Sequence, residues 1–286
     1  MLRKFKTVLK IIATLIGILF VVVIIMFYRF STPKSDKKII NDFAESNSQI
    51  YITEYTFNGF KYRVLETQKE IDTLLPTIVF IHGSIGSALD FKKYLVDLEL
   101  NKKANLISYD RIGYGTQQTG NVQESIAFET KMLEDLTKNL NKKNTILVGY
   151  SYGGPIVLAA KNEYKKIILL APAVFSKFES MPWALDLYKW KATRWLVPKI
   201  WKAASKEKLT HKQDLLNFET SWNENPSKII SIHGNEDWIV PYENSLYLKE
   251  KIPSQQFDLV TLNNAGHGLV WSHFNEIKNV LLQQLN

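Results

Sequence analysis

The chain has 286 residues, 45% of them hydrophobic and 22% charged, with no cysteine and a formal net charge of +8. That length admits one large α/β domain with an insertion and excludes several ordinary domains, while the composition excludes a disordered chain. The missing cysteine excludes disulfides, thiolate metal sites and a cysteine nucleophile.

The charge is unevenly placed. Eight basic residues from Arg3 to Lys38 face one acid, Asp36, so residues 39–286 carry 28 basic and 27 acidic side chains and are nearly neutral. A basic excess confined to the N-terminus suits membrane headgroups and argues against a nucleic-acid partner.

Ile11 to Tyr28 reads IIATLIGILFVVVIIMFY, uncharged and interrupted only by Thr14 and Gly17. As a helix rising 1.5 Å per residue, residues 8–28 span a hydrocarbon core of about 30 Å. A cleaved signal has a shorter apolar run ending in small residues, whereas this one exits through Phe27-Tyr28-Arg29-Phe30-Ser31. Residues 1–30 are therefore expected to be an uncleaved single-pass anchor, with a cleaved signal as the alternative. Basic residues flank the span on both sides, so the positive-inside rule is nearly balanced. A short tail ahead of a large domain favours an extracytoplasmic domain. Residues 31–48 are polar and read as a linker, leaving 49–286 as the main domain.

Within that domain, β-rich apolar runs alternate with helical patterns. Tyr51–Phe57 and Phe60–Glu66 flank Asn58-Gly59, a hairpin signal. Strands are expected over Thr77–Ile81, Asn105–Tyr109, Thr145–Gly149, Lys166–Leu170, Lys228–Ile232 and Gln256–Leu262. Helices are expected over Gln123–Leu140, Pro155–Lys161, Tyr242–Lys251 and Leu269–Leu285. The alternation predicts an α/β fold with a mostly parallel eight-stranded sheet, and functional residues beyond the carboxyl ends of its strands. After the sixth strand, residues of about 172–227 break the rhythm. They hold Trp183, Trp190, Trp195, Trp201 and Trp222, cut by four prolines. They are expected to form a helical lid whose tryptophans join it to the body, one or two of them lining an apolar pocket.

The strand Thr145–Gly149 runs straight into Gly149-Tyr150-Ser151-Tyr152-Gly153-Gly154, followed by a helix. This is G-x-S-x-G in the strand–turn–helix setting that lifts a serine hydroxyl into a cleft, so Ser151 is expected to be a nucleophile. A serine needs an oriented base. Of five histidines, His267 in Asn264-Ala265-Gly266-His267-Gly268 stands on the loop after the last strand and is expected to be that base. Asp237, on the loop after the penultimate strand, is expected to orient it, with adjacent Glu236 as the competitor. The oxyanion requires two backbone N–H groups. Tyr152 is expected to give one and Ser84 the other, with Ile85 as the alternative.

His82-Gly83, Asp110-Arg111-x-Gly113-x-Gly115, Gly149-x-Ser151-x-Gly153-Gly154, His233-Gly234-x-x-Asp237-x-x-Val240-Pro241 and Gly266-His267 occur in that order. Through them, residues from about 51 onward resemble the α/β-hydrolase superfamily, on its lipase, esterase and monoacylglycerol-lipase-like side. The resemblance implies a catalytic triad with no cofactor or metal and a structural role for Asp110 and Arg111, while the anchor and the tryptophan-bearing lid make a small or lipophilic carboxylic ester the expected substrate. Ser151 separates the chain from aspartate-nucleophile relatives. Tyr152 is bulkier than the residue common at that position, and Glu179 or Glu219 in the lid could hold a substrate amine. The same triad serves amide, aminopeptidase-type and C–C bond hydrolysis. The reading from another class is a catalytically silent, membrane-tethered binding protein.

Overall fold

Alternation of side chains along short β-branched runs sets two core layers, one on each face of a single sheet. The computed structural model describes residues 2–285. Its strands are β1 (Tyr51–Phe57), β2 (Phe60–Glu66), β3 (Thr77–Ile81), β4 (Asn105–Tyr109), β5 (Thr145–Tyr150), β6 (Lys166–Leu170), β7 (Ile229–Gly234) and β8 (Phe257–Leu262), in the order 1-2-4-3-5-6-7-8. β2 is antiparallel to β1 and β4, and all other pairs are parallel. Every residue of β3, β4, β5 and β7 is buried, as parallel strands covered on both faces must be. On β5, Ile146 and Val148 enter one core layer while Leu147 enters the other.

The helices are α1 (Leu2–Phe30), α2 (Asp36–Ala44), α3 (Ile126–Leu136), α4 (Gly153–Leu158), α5 (Lys199–Leu215), α6 (Glu243–Lys251) and α7 (Phe274–Gln284), joined by shorter helical turns. α7 brings Ile277 and Leu281 to one face of the sheet, and α3 brings Met132 and Leu133 to the other. The helix expected over 269–285 is broken at His273 into a single turn and α7.

The linker expectation for 31–48 is corrected by α2. Ser35 caps this helix by accepting a hydrogen bond from the Lys38 amide, and Ile39 and Phe43 are fully buried in the core. The buried Arg63 guanidinium fastens its start, donating to the Lys34 carbonyl at 2.8 Å and pairing with Asp36 at 2.8 Å. Two apolar residues four apart supply the whole burial of this short helix.

Between β6 and β7 lies the expected insertion, with α5 as its longest element. Ile200, Ala203, Ala204, Glu207, His211 and Leu215 form the buried stripe of α5 at helical spacing, so two titratable groups lie on its inward face. α1 stands out from the body with most of its apolar side chains between Phe5 and Phe30 exposed. It is long and apolar enough to cross a membrane, a property that a signal sequence shares. Its end touches the insertion. The Phe27 and Trp201 rings are 5.2 Å apart, and the Tyr28 hydroxyl donates to the Trp195 carbonyl at 2.7 Å.

Candidate active site

β5 ends at Tyr150 and α4 begins at Gly153, leaving too few residues to turn without strain. Ser151 carries it with φ of +53°, a left-handed conformation that costs a non-glycine residue of order 1 kcal/mol or more. Backbone bonds hold the turn: the Ser151 amide donates to the Leu170 carbonyl, and the Ser151 carbonyl accepts from the amides of Gly154 and Ala173. A side chain at Gly149 would run into the Gly153 carbonyl, and one at Gly153 into the Ile81 carbonyl. These two glycines let strand, turn and helix approach closely enough to present the hydroxyl.

Loops after β7 and β8 bring the other two residues to it. His267 Nε2 lies 3.0 Å from Ser151 Oγ, and His267 Nδ1 lies 2.7 Å from Asp237 Oδ2. Asp237 Oδ1 accepts from the amides of Ile239 and Val240, both at 2.9 Å. Burial alone favours a protonated Asp237, but hydrogen bonds from His233 and His267 outweigh it and hold the carboxyl well below the usual range. An ionised Asp237 keeps the hydrogen of His267 on Nδ1 and leaves Nε2 free to accept from the serine. Glu236, the competitor, is exposed, and its neighbour makes the contact. The Tyr150 hydroxyl supports the same loop by donating to the His267 carbonyl at 2.9 Å.

His233 has a part that the sequence did not reveal. Its Nε2 faces two acceptors, Asp237 Oδ2 at 3.3 Å and the Val240 carbonyl at 3.1 Å, so it carries the hydrogen. Its Nδ1 then accepts from Ser245 Oγ at 2.7 Å. The i, i+4 placement of His233 and Asp237 around one turn was the only trace of this in the sequence.

On the opposite side, the loop after β3 lies against the serine. A side chain at Gly83 would come within 2.8 Å of Ser151 Cβ. Among the described residues, none accepts a hydrogen bond from the amides of Ser84, Ile85 or Tyr152. The Ser84 hydroxyl donates to Glu207 of α5 at 2.7 Å. Glu207 also accepts from the Tyr114 hydroxyl and pairs with Arg111, and all three side chains are buried. The Arg111 guanidinium lies 4.3 Å from the Tyr152 ring centroid and 3.6 Å from Glu129. Arg111 therefore does more than brace the turn after β4: it joins the sheet to the insertion. Burial outweighs that cation at Glu129 and pushes its carboxyl up to about 7. Burial and the Arg111 charge keep His82 neutral, and its Nε2 accepts the Arg111 amide at 3.0 Å.

The Ser151 and His267 side chains open into a cavity of about 280 Å³ beneath the insertion, walled chiefly by Ile85, Leu185, Trp201, Ala204, Ile239 and Val240. The polar wall residues Glu179 and Lys208 form an ion pair with each other. Glu219 accepts hydrogen bonds from Ser176 and does not line this cavity. Of the five tryptophans in the insertion, Trp201 lines the cavity and Trp222 is buried against Phe218. Trp183, Trp190 and Trp195 are exposed, so they do not join the insertion to the body as expected. Among the described residues, no group of three His, Asp or Glu side chains is placed to hold a metal ion.

Residues 78–277 match the model of the Alpha/beta hydrolase family. The human Alpha/beta hydrolase domain-containing protein 17B is 24% identical over 217 residues, covering 73% of this chain and 67% of its own. Among solved structures, an esterase from Exiguobacterium antarcticum is similar with a TM-score of 0.61 at 17% identity, covering 83% of this chain and 99% of its own. The 2-hydroxy-6-oxo-6-phenylhexa-2,4-dienoate hydrolase of Rhodococcus sp. strain RHA1 aligns with a TM-score of 0.63 at 17% identity, covering 82% and 99%. At these identities the likeness shows the fold.

Proposed function

The chain belongs to the alpha/beta hydrolase family, and on that premise we propose that it is a membrane-anchored serine hydrolase of small or lipophilic carboxylic esters. The observation that carries this reading is the unbroken relay from Asp237 through His267 to Ser151, at 2.7 and 3.0 Å, on the floor of an apolar cavity. His267 Nε2 takes the serine proton as Oγ attacks the ester carbonyl. The oxyanion that forms is held by the amides of Tyr152 and Ser84, two donors with no acceptor among the described residues. His267 returns the proton to the departing alcohol, leaving an acyl-Ser151. Water, deprotonated by His267, then attacks the acyl carbon and releases the acid. Asp237 stabilises the imidazolium in both halves.

Apolar walls favour a lipophilic acyl group, and the Glu179–Lys208 pair leaves no unpaired carboxylate there to receive a substrate amine. That pairing argues for esters over aminoacyl amides. α1 anchors the chain, with the hydrolase domain on the extracytoplasmic side.

The test uses the full chain in detergent. Wild type should hydrolyse medium-chain p-nitrophenyl esters and become labelled by a fluorophosphonate, and Ser151→Ala should do neither. Equal turnover by the two proteins would sink the reading. Labelling without ester turnover would point to amide or C–C bond hydrolysis, and absence of labelling in wild type to a silent binding protein.

A further inference from the structure

We infer that the exposed tryptophan face of the insertion docks into the headgroup layer of the bilayer that α1 crosses, so that the mouth of the catalytic cavity opens toward lipid. This rests on the anchoring reading above and adds where the active site stands relative to the membrane.

The first support is depth. The stretch from Val8 to Tyr28, whose one charge is Lys10 near its start, is about 31 Å long as a helix, matching the hydrocarbon core. Its last residues therefore lie at the boundary with the headgroups. Those residues hold the insertion: Phe27 packs on Trp201, and Tyr28 donates to the Trp195 carbonyl. Trp201 is also a wall of the catalytic cavity, so one indole separates the end of the membrane-length helix from the reaction site.

The second support is composition of the free surface. Trp183, Trp190 and Trp195 are 80, 69 and 66% exposed, and Met181 and Leu187 beside them are also exposed. Trp238, 82% exposed, adjoins the cavity-lining Ile239, and Trp183 stands between the cavity-lining Pro182 and Ala184. Large aromatic side chains left in water at a cavity rim mark an interaction surface. Indole, with an apolar body and one N–H, partitions to the membrane–water interface.

The third support is charge. Lys191 and Arg194 are interspersed among these tryptophans and Arg29 follows the span, whereas Lys189 and Lys34 pair with Asp186 and Asp42. Cations at that depth meet the phosphates of anionic lipid. A partner protein or a second copy could also cover an aromatic face, but only the bilayer is brought to this face by the chain's own helix.

The chain's lack of cysteine makes the test direct. Single-cysteine variants of the full chain, Trp183→Cys, Trp190→Cys, Glu54→Cys on β1 and Leu15→Cys in α1, are labelled with an environment-sensitive fluorophore. Each is reconstituted into phosphatidylcholine–phosphatidylglycerol vesicles with and without doxyl-labelled lipid. The Leu15 label should be quenched by deep doxyl groups. The Trp183 and Trp190 labels should lose roughly half their emission to shallow ones, and the Glu54 label should lose none. Quenching at Leu15 with Trp183 and Trp190 behaving like Glu54 would overturn the docking and leave the anchor standing. No quenching at Leu15 would overturn the anchor, and the docking with it.

Discussion

Ser151 and Glu129 show how differently single residues can be read from a sequence. Ser151 sits in a left-handed conformation because strand, turn and helix meet there, and the glycines around it announce that meeting. Asp237 and His267 stand on loops beyond recognisable strands, and that position is what let the sequence place them near Ser151. Glu129 carried no such sign: it is one acid in an amphipathic helix, yet its carboxyl is buried beside Arg111 with no hydrogen-bond partner on either oxygen among the described residues. Its pKa rises from 4.5 to about 7, so the folded state holds the proton more tightly than the unfolded chain. The stability this contributes is full below about pH 4.5 and is lost as pH rises through 7. Glu129→Gln keeps the group neutral throughout. The variant should match wild type near pH 4.5 and exceed it at pH 8 by on the order of 1–3 kcal/mol, a rise of roughly 2–8 °C in Tm. Thermal melts at the two pH values check this, and an equal difference at both would show that the charge is not the cause.

At the scale of elements, the strands and most helices were legible because the apolar runs are long enough to show their period. α2 was not, because Ile39 and Phe43 alone carry its burial in an otherwise polar segment. The insertion was legible as helical, but α5 within it was not singled out, and neither was its contribution to the site. Glu207 occupies a position on its apolar stripe where Leu would ordinarily stand, and its partners Ser84, Arg111 and Tyr114 lie 93–123 residues away. That carboxylate links the insertion to the loop expected to supply an oxyanion donor. Glu207→Ala leaves the Arg111 guanidinium buried with only Glu129, 3.6 Å away, as a counter-charge. Removing one partner of such a pair should cost about 3–5 kcal/mol of stability. It should also lower kcat for esters by freeing the Ser84 loop. Because Ser84 acts there through its hydroxyl bond to Glu207, adding Ser84→Ala to Glu207→Ala should lower kcat no further. Fully additive losses in the double-mutant cycle would separate the two residues.

For the whole molecule, the membrane-length helix and the tryptophan-rich insertion were each visible in the sequence, but their contact was not. Tyr28 and Trp195 stand 167 residues apart, and nothing local links them. Bringing them together turns two separate features into one arrangement, in which, on the anchoring proposed above, α1 sets the height of the cavity mouth relative to the bilayer. If lipid-borne substrate enters through that mouth, the exposed tryptophans act on delivery and leave the chemistry alone. None of Trp183, Trp190 and Trp195 lines the cavity or touches the triad. Replacing all three by serine should therefore leave kcat/KM for a water-soluble short-chain ester unchanged. Hydrolysis of a long-chain ester presented in vesicles should fall by roughly tenfold, the equivalent of about 1.4 kcal/mol of lost docking. Wild type and variant are compared in the same vesicles at matched protein content, and both carry the same α1. A parallel fall on both substrates would assign the tryptophans to the integrity of the insertion, and no fall on either would remove them from substrate delivery.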